Sequence, residues 1–353
     1  MPWGTTAGSL EPNGETPWAK RITQLLVSEL SGENGEMQTT KYRTFDPPPE
    51  GFDPHTASDA SLLRHRLPRR PDPATRPRLA RLWREALSRR TTFVKAELGE
   101  AFARKHRTAR PPEDISPAVS PAQIPSGDWA GAMIPTPPDD SFEMVFGQWV
   151  VPTVLPKNPS GEELSLAFWV GLAGSVPNIG GQLLQAGVSA IVDSGQGSVT
   201  WQAWTEWYDD YYQNPARPIS NFPVAPGDSV AVLVCAPEPS LGHVTMINLS
   251  RQTQLVTSVS IPAPGQPGQF IGQLELTNAS PEWALEPAAS QNSELLYFYE
   301  WEFRNCAAST PSQLYDLSSA STEDIWIPNT TVFLTQTTIE TPTSAVVRWL
   351  GFN

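Results

Sequence analysis

The sequence predicts an all-β protein, an antiparallel β-sandwich, which follows a basic and partly helical N-terminal segment. Beyond residue 125 the chain contains about a dozen short apolar runs separated by Gly, Pro, Asn and Ser turns, a pattern typical of sandwiches. Strand-like runs do not alternate with helical ones, and the sequence contains no GxGxxG or P-loop motif after a strand. A nucleotide-binding α/β fold is therefore not expected.

The first 125 residues are predicted to form a separate extension, and residues 126–353 a β domain. Residues 1–60 are rich in Gly, Pro, Ser, Thr and Glu, so loops are expected there, with one short amphipathic stretch at 20–30. One or two basic helices are predicted over residues 75–107, where apolar residues recur at helical spacing: Leu79, Leu82, Trp83, Leu87, Val94, Leu98 and Phe102. A Pro-rich stretch at 108–127 is predicted to be a linker and a candidate cleavage region.

The two parts of the chain differ in charge. Residues 1–125 hold 19 of the 24 Lys and Arg residues beside 15 acids, whereas residues 126–353 hold 5 bases beside 22 acids. An acidic domain repels nucleic acids and anionic membranes, so neither is expected as a partner. The basic segment is either a solvated helical region or a candidate pro-segment that covers the acidic domain and inhibits it.

Most of the β domain is assigned to strands by its apolar runs and turn residues. The predicted strands are 142–151, 164–172, 182–192, 199–208, 229–235, 243–249, 255–261, 269–276, 295–303, 330–337 and 345–350. The stretch 280–287 is patterned as a further strand. Its alternation places Glu282, Ala284 and Glu286 on one face, and Trp283 and Leu285 on the other.

Few residues of the β domain suit nucleophilic or metal chemistry. Cys235 and Cys306 permit one disulfide at most and are too few for a four-ligand zinc site, so neither a metal nor another cofactor is expected. His243, the only histidine of the domain, is expected at the surface or at a sheet edge, and Cys235 in the core. Because no GxSxG motif is present either, a Ser or Cys triad is not expected.

The sequence shows no secretory signal peptide and no apolar run of about 18 residues, the length that a membrane helix needs. The default expectation is an intracellular protein, with secretion by another route left open.

Carboxylates, amides and aromatic residues therefore remain as the candidates for a site. The run 199–208 places four of them on one strand face: Gln202, Trp204, Glu206 and Tyr208. This pattern alone leaves two interpretations open, an aromatic core layer with a Glu at its edge, or an aromatic groove for a ligand such as a sugar.

Seven short motifs occur in an order and spacing that resemble those of the glutamic peptidases, the eqolisins. They are DWAGA at 128–132, WVVP at 149–152, FWVGL at 168–172, LLQAG at 183–187, AWTEWY at 203–208, PGD at 226–228 and EWALE at 282–286. The resemblance spans residues 128 to 349, nearly the whole β domain. It implies a sandwich of two curved, concanavalin-like sheets, in agreement with the strand pattern.

The resemblance also implies a reactive dyad of Gln185 and Glu286, with Trp129, Trp169 and Glu206 lining the site and Trp204 beside them. Two positions depart from the family's usual pattern. Ala173 stands where an Asp is common, and Thr205 where a Tyr is common.

The chemistry of these side chains fits peptide hydrolysis. Glu286 can take a proton from water and return it to the leaving amine, while the amide of Gln185 donates a hydrogen bond to the oxyanion at any pH. The function predicted is an acid-acting endopeptidase with a polypeptide substrate and its own N-terminal segment as inhibitor. Two alternatives stay open: a non-catalytic, lectin-like sandwich that binds peptide or glycan in an aromatic groove, and a scaffold whose N-terminal region binds a partner.

Overall fold

The computed structural model describes residues 42–87, 91–102, 123–126, 129–138, 140–154, 164–176, 180–192, 198–209, 215–251, 254–262, 276, 278–287, 296, 298–325 and 333–350. Within these ranges the chain forms two α-helices, α1 (Asp59–Arg64) and α2 (Pro77–Ala86), and a 3-10 turn at Leu317–Ser319. Neither of these described helices is long and apolar enough to cross a membrane.

The remaining elements are strands. In chain order they are β1 (Arg43–Thr44), β2 (Thr91–Phe93), β3 (Gln123–Ser126), β4 (Ala130–Met133), β5 (Met144–Val150), β6 (Leu164–Val176), β7 (Gly180–Val192), β8 (Val199–Asp209), β9 (Arg217–Pro218), β10 (Ser229–Glu238), β11 (Leu241–Asn248), β12 (Gln254–Pro262), β13 (Ser280–Pro287), β14 (Glu300–Ser309), β15 (Leu314–Tyr315), β16 (Ser321–Ile325), β17 (Thr335–Thr341) and β18 (Ser344–Trp349).

The described strands form two sheets. The ten-stranded sheet has the order β1-β12-β11-β10-β5-β14-β18-β17, with β2 beside β12 and β15 beside β14. The eight-stranded sheet has the order β3-β16-β4-β13-β6-β7-β8-β9. Neighbouring described strands are antiparallel except β2 with β12 and β3 with β16, which are parallel. The prediction of an all-β, antiparallel sandwich is confirmed.

The main core lies between the two sheets and is built from alternate residues of the long strands. Trp207 and Trp283 of the eight-stranded sheet belong to the same buried cluster as Trp149 and Phe303 of the ten-stranded sheet, and all four are fully buried. A buried side chain of this size stabilises the fold by at least about 1.5–3 kcal/mol. Because alternate residues fill the core, the intervening residues of each strand lie on the opposite face of its sheet.

Residues 42–87 and 91–102 pack against this sandwich. A second apolar cluster joins the two helices to the ten-stranded sheet, and it contains Leu62, Trp83, Leu87, Ala231 and Ile247. The Arg78 side chain also ties α2 to the sheet. Its Nη1 lies 3.0 Å from Oδ2 of Asp316, and its Nη2 donates to the backbone oxygen of Cys306 at 2.6 Å.

The helix prediction for residues 75–107 is only partly right. Helix α2 ends at Ala86, and β2 follows it at residues 91–93. Leu98 and Phe102 then form antiparallel bridges with Ile219 and Ala216. Tertiary contacts at the sheet edge have overridden a helical spacing, as they commonly do for weak local propensity. The stretches 1–41 and 103–122, with their predicted loops and linker, lie outside the described residues.

Strand boundaries were predicted best where the alternation is long. Strand β13 spans residues 280–287 as predicted. The strands predicted at 295–303 and 330–337 begin later, at Glu300 and Thr335, and the run 269–276 lies outside the described residues except for residue 276. Short strands such as β4 were missed because a sequence of Ala, Gly, Ala and Met carries little strand signal. Residues 123–126 of the predicted linker form β3.

Candidate active site

The outer face of the eight-stranded sheet, which is turned away from the ten-stranded sheet, carries the candidate site. Trp283 and Leu285 enter the main core, so Glu282, Ala284 and Glu286 lie on the outer face. The structure brings all six predicted site residues to or beside this face: Trp129, Trp169, Gln185, Trp204, Glu206 and Glu286.

Gln185 of β7 is fully buried, and Glu206 of β8 orients its amide. The two residues are register partners, and Gln185 Nε2 donates a 2.7 Å hydrogen bond to Oε2 of Glu206. Thr205, one of the two departures from the family pattern, donates from Oγ1 to the backbone oxygen of Gln185 at 3.3 Å. Oε1 of Gln185 has no hydrogen-bond partner among the described residues. An amide carries two donors and one acceptor oxygen, so Oε1 and the second N–H remain for other partners.

The strand register determines which carboxyl lies opposite Gln185. Gln185 pairs with Gly171 of β6, and Gly171 pairs with Glu282 of β13, so these three residues form one row across the sheet. A Cβ on Gly171 would stand 3.0 Å from Cβ of Gln185 and 2.9 Å from Cδ1 of Leu183, so a larger residue at this position would crowd Gln185. Glu286 lies four residues further along β13, where it pairs with Ala167.

Glu282 is a carboxyl that the sequence pattern placed on the face without giving it a role. It is 8% exposed, and Glu286 is 6% exposed. Burial, with added repulsion from Glu323 and Glu286, raises the pKa of Glu282 well above its ordinary value. Glu282 therefore keeps its proton at a pH at which an exposed glutamate would be ionised. No sequence pattern singled out Glu323, because β16 was not predicted.

Aromatic and small residues surround these polar groups. A buried cluster, called the aromatic cluster below, consists of Ala167, Trp169, Trp204, Ala216 and Ala284. The partly buried side chains of Phe102, Trp129 and Leu183 pack against it. Within it the rings of Trp129 and Trp169 are 6.4 Å apart and tilted by 49°. The indole nitrogen of Trp169 has no hydrogen-bond partner among the described residues. Phe102 belongs to the N-terminal segment, and no sequence pattern predicted its position here.

Ala173, the other departure from the family pattern, lies in the row next to Gln185. It pairs with Leu183 of β7 and with Ser280 of β13. Ser280 Oγ donates a 3.2 Å hydrogen bond to the backbone oxygen of Ala173. A methyl group therefore takes the place of a carboxylate at this position beside the Gln185 row.

The structure also places Cys235 opposite His243, on strands β10 and β11. This corrects both expectations, because Cys235 is half-buried outside the main core and His243 lies on an interior strand. Burial raises the pKa of the Cys235 thiol to about 12, and burial together with Arg66 lowers the pKa of His243 to about 4. Both groups are therefore neutral near pH 7, and the thiol is not activated as a nucleophile. In the described part of the chain, no His, Cys, Asp and Glu residues cluster in a way that could hold a metal ion.

The sandwich fold and a matching family model together define a peptidase of the glutamic type. The chain belongs to the Peptidase A4 family, whose model matches residues 127–349.

One curated relative and two solved structures are similar to this chain. Aspergillopepsin-2 of Aspergillus niger is 30% identical over 218 residues, which is 57% of this chain and 70% of that protein. Scytalido-glutamic peptidase, solved with a transition state analog inhibitor, is 21% identical with a TM-score of 0.46, and the match covers 64% of this chain and 99% of that one. Aspergilloglutamic peptidase of Aspergillus niger is 27% identical with a TM-score of 0.39, over 53% of this chain and 99% of that one.

Proposed function

We propose that the chain is an acid-acting endopeptidase in which Gln185 and Glu286 activate water against a peptide bond. The observation that carries the proposal is the fixed amide of Gln185. A 2.7 Å bond to Glu206 holds it on a sheet face that also carries the buried carboxyls of Glu282 and Glu286. Membership of a peptidase family supports a polypeptide as the substrate.

The Gln185 amide suits the role of oxyanion donor. One of its N–H groups is used by Glu206, and the second is assigned to the peptide oxygen that becomes negative when water adds. Its Oε1, which lacks a partner in the described residues, is assigned to accept from the attacking water. An amide does not titrate, so the donor persists in acid, where a histidine would be charged. One such donor typically lowers the barrier by about 3–4 kcal/mol.

A carboxyl must move the protons. Glu286 is assigned to take the water proton as the new C–O bond forms, and to give it to the amine nitrogen as the C–N bond breaks. Glu282 competes for this assignment because it lies in the Gln185 row. Its raised pKa makes it a donor for the leaving amine at moderately acidic pH.

We extend the proposal to residues 1–125 as a basic pro-segment, with the boundary of the peptidase domain near residue 126. The charge difference between the two parts of the sequence supports it. Arg78 supplies one attachment, since it pairs with Asp316 of the β domain at 3.0 Å.

The test is cleavage of a denatured protein substrate by the purified chain from about pH 2 to 7. Four variants are compared with the unmodified chain: Gln185→Ala, Glu286→Gln, Glu282→Gln and, as a matched carboxyl control on the ten-stranded sheet, Glu302→Gln. Cleavage in acid should fall by about 100-fold or more in Gln185→Ala and Glu286→Gln, because each loses a group that acts in the transition state. Glu302→Gln should cleave normally.

The outcomes separate the assignments. A normal rate in Gln185→Ala or in Glu286→Gln would remove that residue from the mechanism. Loss of cleavage in Glu282→Gln with a normal rate in Glu286→Gln would transfer the proton role to Glu282. A chain that is folded by circular dichroism but cleaves nothing at any pH would favour a non-catalytic sandwich that binds peptide or glycan.

A further inference from the structure

A third carboxyl, that of Glu323, lies on the same sheet face as Glu282 and Glu286. Glu323 of β16 pairs with Gly131 of β4, and Gly131 pairs with Ala284 of β13, so these three residues form one row across the sheet. Residues that are directly opposed on antiparallel strands share one face, and Ala284 lies on the outer face. The row of Glu323 therefore meets β13 midway between Glu282 and Glu286.

This row contains no large side chain between Glu323 and β13. Ala284 carries only a methyl group, and Gly131 carries no side chain. A Cβ on Gly131 would stand 2.0 Å from the backbone oxygen of Trp283, so any other residue at this position would collide with β13. The Glu323 carboxyl thus faces the two glutamates of β13 across a position that has to be glycine.

The strand that carries Glu323 is tied to the other sheet. Asp324, the next residue, is fully buried, and its Oδ1 accepts from Oγ1 of Thr337 at 2.8 Å and from Oγ1 of Thr335 at 3.3 Å. Thr337 Oγ1 also lies 2.9 Å from the backbone oxygen of Glu323 and donates to it. Both threonines belong to β17 of the ten-stranded sheet. The packing of the two sheets therefore fixes the position of Glu323 beside β13.

Few ionisable groups reach Glu282 from the strands of its own sheet. Strands β3, β4, β6 and β7 contain no acidic, basic, Tyr or Cys residue in their ranges. Strand β8, three positions from β13, places Glu206 and Tyr208 on the outer face, and Glu206 accepts from the Gln185 amide. Among the described residues, the charges that act on Glu282 are those of Glu323 and Glu286, and the effect of Glu323 is the larger.

The two carboxyls differ in exposure. Glu282 is 8% exposed, whereas Glu323 is half-buried. Burial disfavours the charged form of an acid, so of two neighbouring carboxyls the more exposed one ionises first, and its charge then opposes ionisation of the other. Burial is the largest cause of the raised pKa of Glu282, and the charge of Glu323 is the second.

We propose that Glu323 is a positioning residue that acts through Glu282: it keeps on Glu282 the proton that the leaving amine receives, and it thereby extends cleavage toward less acidic pH. This inference rests on the proposed function, in which Glu282 is a candidate donor for the leaving amine. On the alkaline side of a pH profile the rate falls as the essential acid loses its proton. A neighbouring negative charge delays that loss, so the rate falls at a higher pH.

The test is the pH profile of kcat/KM for peptide cleavage by full-length protein with Glu323→Gln. The ratio of kcat/KM at about pH 5.5 to that at about pH 3 should fall at least about threefold, because an amide carries no charge that would keep the proton on Glu282. Glu323→Asp, which keeps the charge, should restore most of this ratio. Glu302→Gln, the matched carboxyl control on the ten-stranded sheet, should leave it unchanged. A purely structural role of Glu323 would lower the rate equally at both pH values.

A second readout does not depend on cleavage. Carboxyl-carbon NMR of protein with labelled glutamate follows the proton on Glu282, and Glu282→Gln identifies the signal. This carboxyl should lose its proton at a lower pH in Glu323→Gln than in the unmodified chain. That displacement, in a protein that cleaves nothing at any pH, would refute the peptidase function and support the action of Glu323 on Glu282. Cleavage by Glu323→Gln with the profile of the unmodified chain would overturn the inference and leave the peptidase function standing.

Discussion

At the scale of single residues, Glu282 should control how stability responds to pH. Its pKa is raised from the ordinary 4.5 by burial and by the charges of Glu323 and Glu286. Below the ordinary value both the folded and the unfolded chain hold the neutral acid. As pH rises toward the folded value, the unfolded chain ionises first, and the free energy of unfolding falls.

Glu282→Gln should therefore be more stable than the unmodified chain near pH 7 and equally stable near pH 3. An amide of the same shape stays neutral at every pH, so the free energy of unfolding no longer falls as pH rises through this group's range. Each kcal/mol gained should raise the melting temperature by about 2–4 °C. Thermal unfolding followed by circular dichroism at pH 3 and at pH 7 measures the two melting temperatures. If Glu282→Gln melts no higher than the unmodified chain at pH 7, the prediction is wrong.

Alternation in the sequence predicted the strand faces of Glu206 and Glu286, and the family resemblance added Gln185 to the same site, but neither placed these residues in rows. Period-two alternation determines which side of a strand a residue faces, and Trp204 and Trp207 follow it on opposite faces as predicted. The row of Gln185, Gly171 and Glu282 depends on the registers of β7 and β13 against β6. Register is set by packing of the whole sheet, so the sequence alone did not indicate that Glu282, and not Glu286, lies in the Gln185 row.

At the scale of elements, β7 approaches β6 more closely at Gly187 than any side chain would permit. Gly187 pairs with Trp169 on β6 and with Trp204 on β8. A Cβ there would lie 2.0 Å from the backbone oxygen of Phe168 and 2.8 Å from Cα of Trp169. Because both contacts are backbone atoms, the neighbouring strand itself would have to move.

Gly187→Ala should therefore destabilise the fold by about 3 kcal/mol or more, at the upper end of the cost of overpacking, and separate Trp169 from Gln185. Ser189→Ala is the matched control, because Ser189 faces the same side of β7 and the change adds no atom. Urea unfolding of both variants should show a lower midpoint only in Gly187→Ala. Equal midpoints would mean that β6 shifts without cost.

The segment 94–102 shows why an element can be mispredicted although its residues are correctly identified as apolar. Val94, Leu98 and Phe102 are four residues apart, a spacing that fits one helix face. In the structure Leu98 packs against the main core and Phe102 against the aromatic cluster, so the two side chains contact different clusters. The edge of β9 and the side chain of Asn221, which lie more than a hundred residues away in sequence, decide the conformation.

At the scale of the whole molecule, two carboxyls give the free energy of unfolding opposite dependences on pH. Ionisation of Glu282 destabilises the fold as pH rises. Protonation of Asp316, which holds α2 through Arg78, destabilises the fold as pH falls. Burial acts to raise the pKa of Asp316, but hydrogen bonds from Ser318 and the charge of Arg78 outweigh it, and the pKa lies below its ordinary 3.8. The stability from this pair is present above the ordinary value and is lost as pH drops through the folded one.

The free energy of unfolding should therefore be greatest at an intermediate pH and decline on both sides of it. A single substitution at Glu282 or Asp316 should reduce the decline on one side only. The substitutions are made in a Gln185→Ala background, which the proposed mechanism expects to be free of self-digestion. In this background Glu282→Gln should reduce the decline on the alkaline side, and Asp316→Asn the decline on the acid side. The Asp316 effect should be about 1 kcal/mol at most, because the Arg78 pair is partly exposed. Asp46→Asn is the control, since the pair of Asp46 with Lys95 is largely exposed and should contribute little.

Urea midpoints from about pH 2.5 to 8 measure how the stability of each variant depends on pH. An Asp316→Asn protein as acid-sensitive as its parent would show that protonation of Asp316 does not loosen the N-terminal segment, and that acid must act on other contacts.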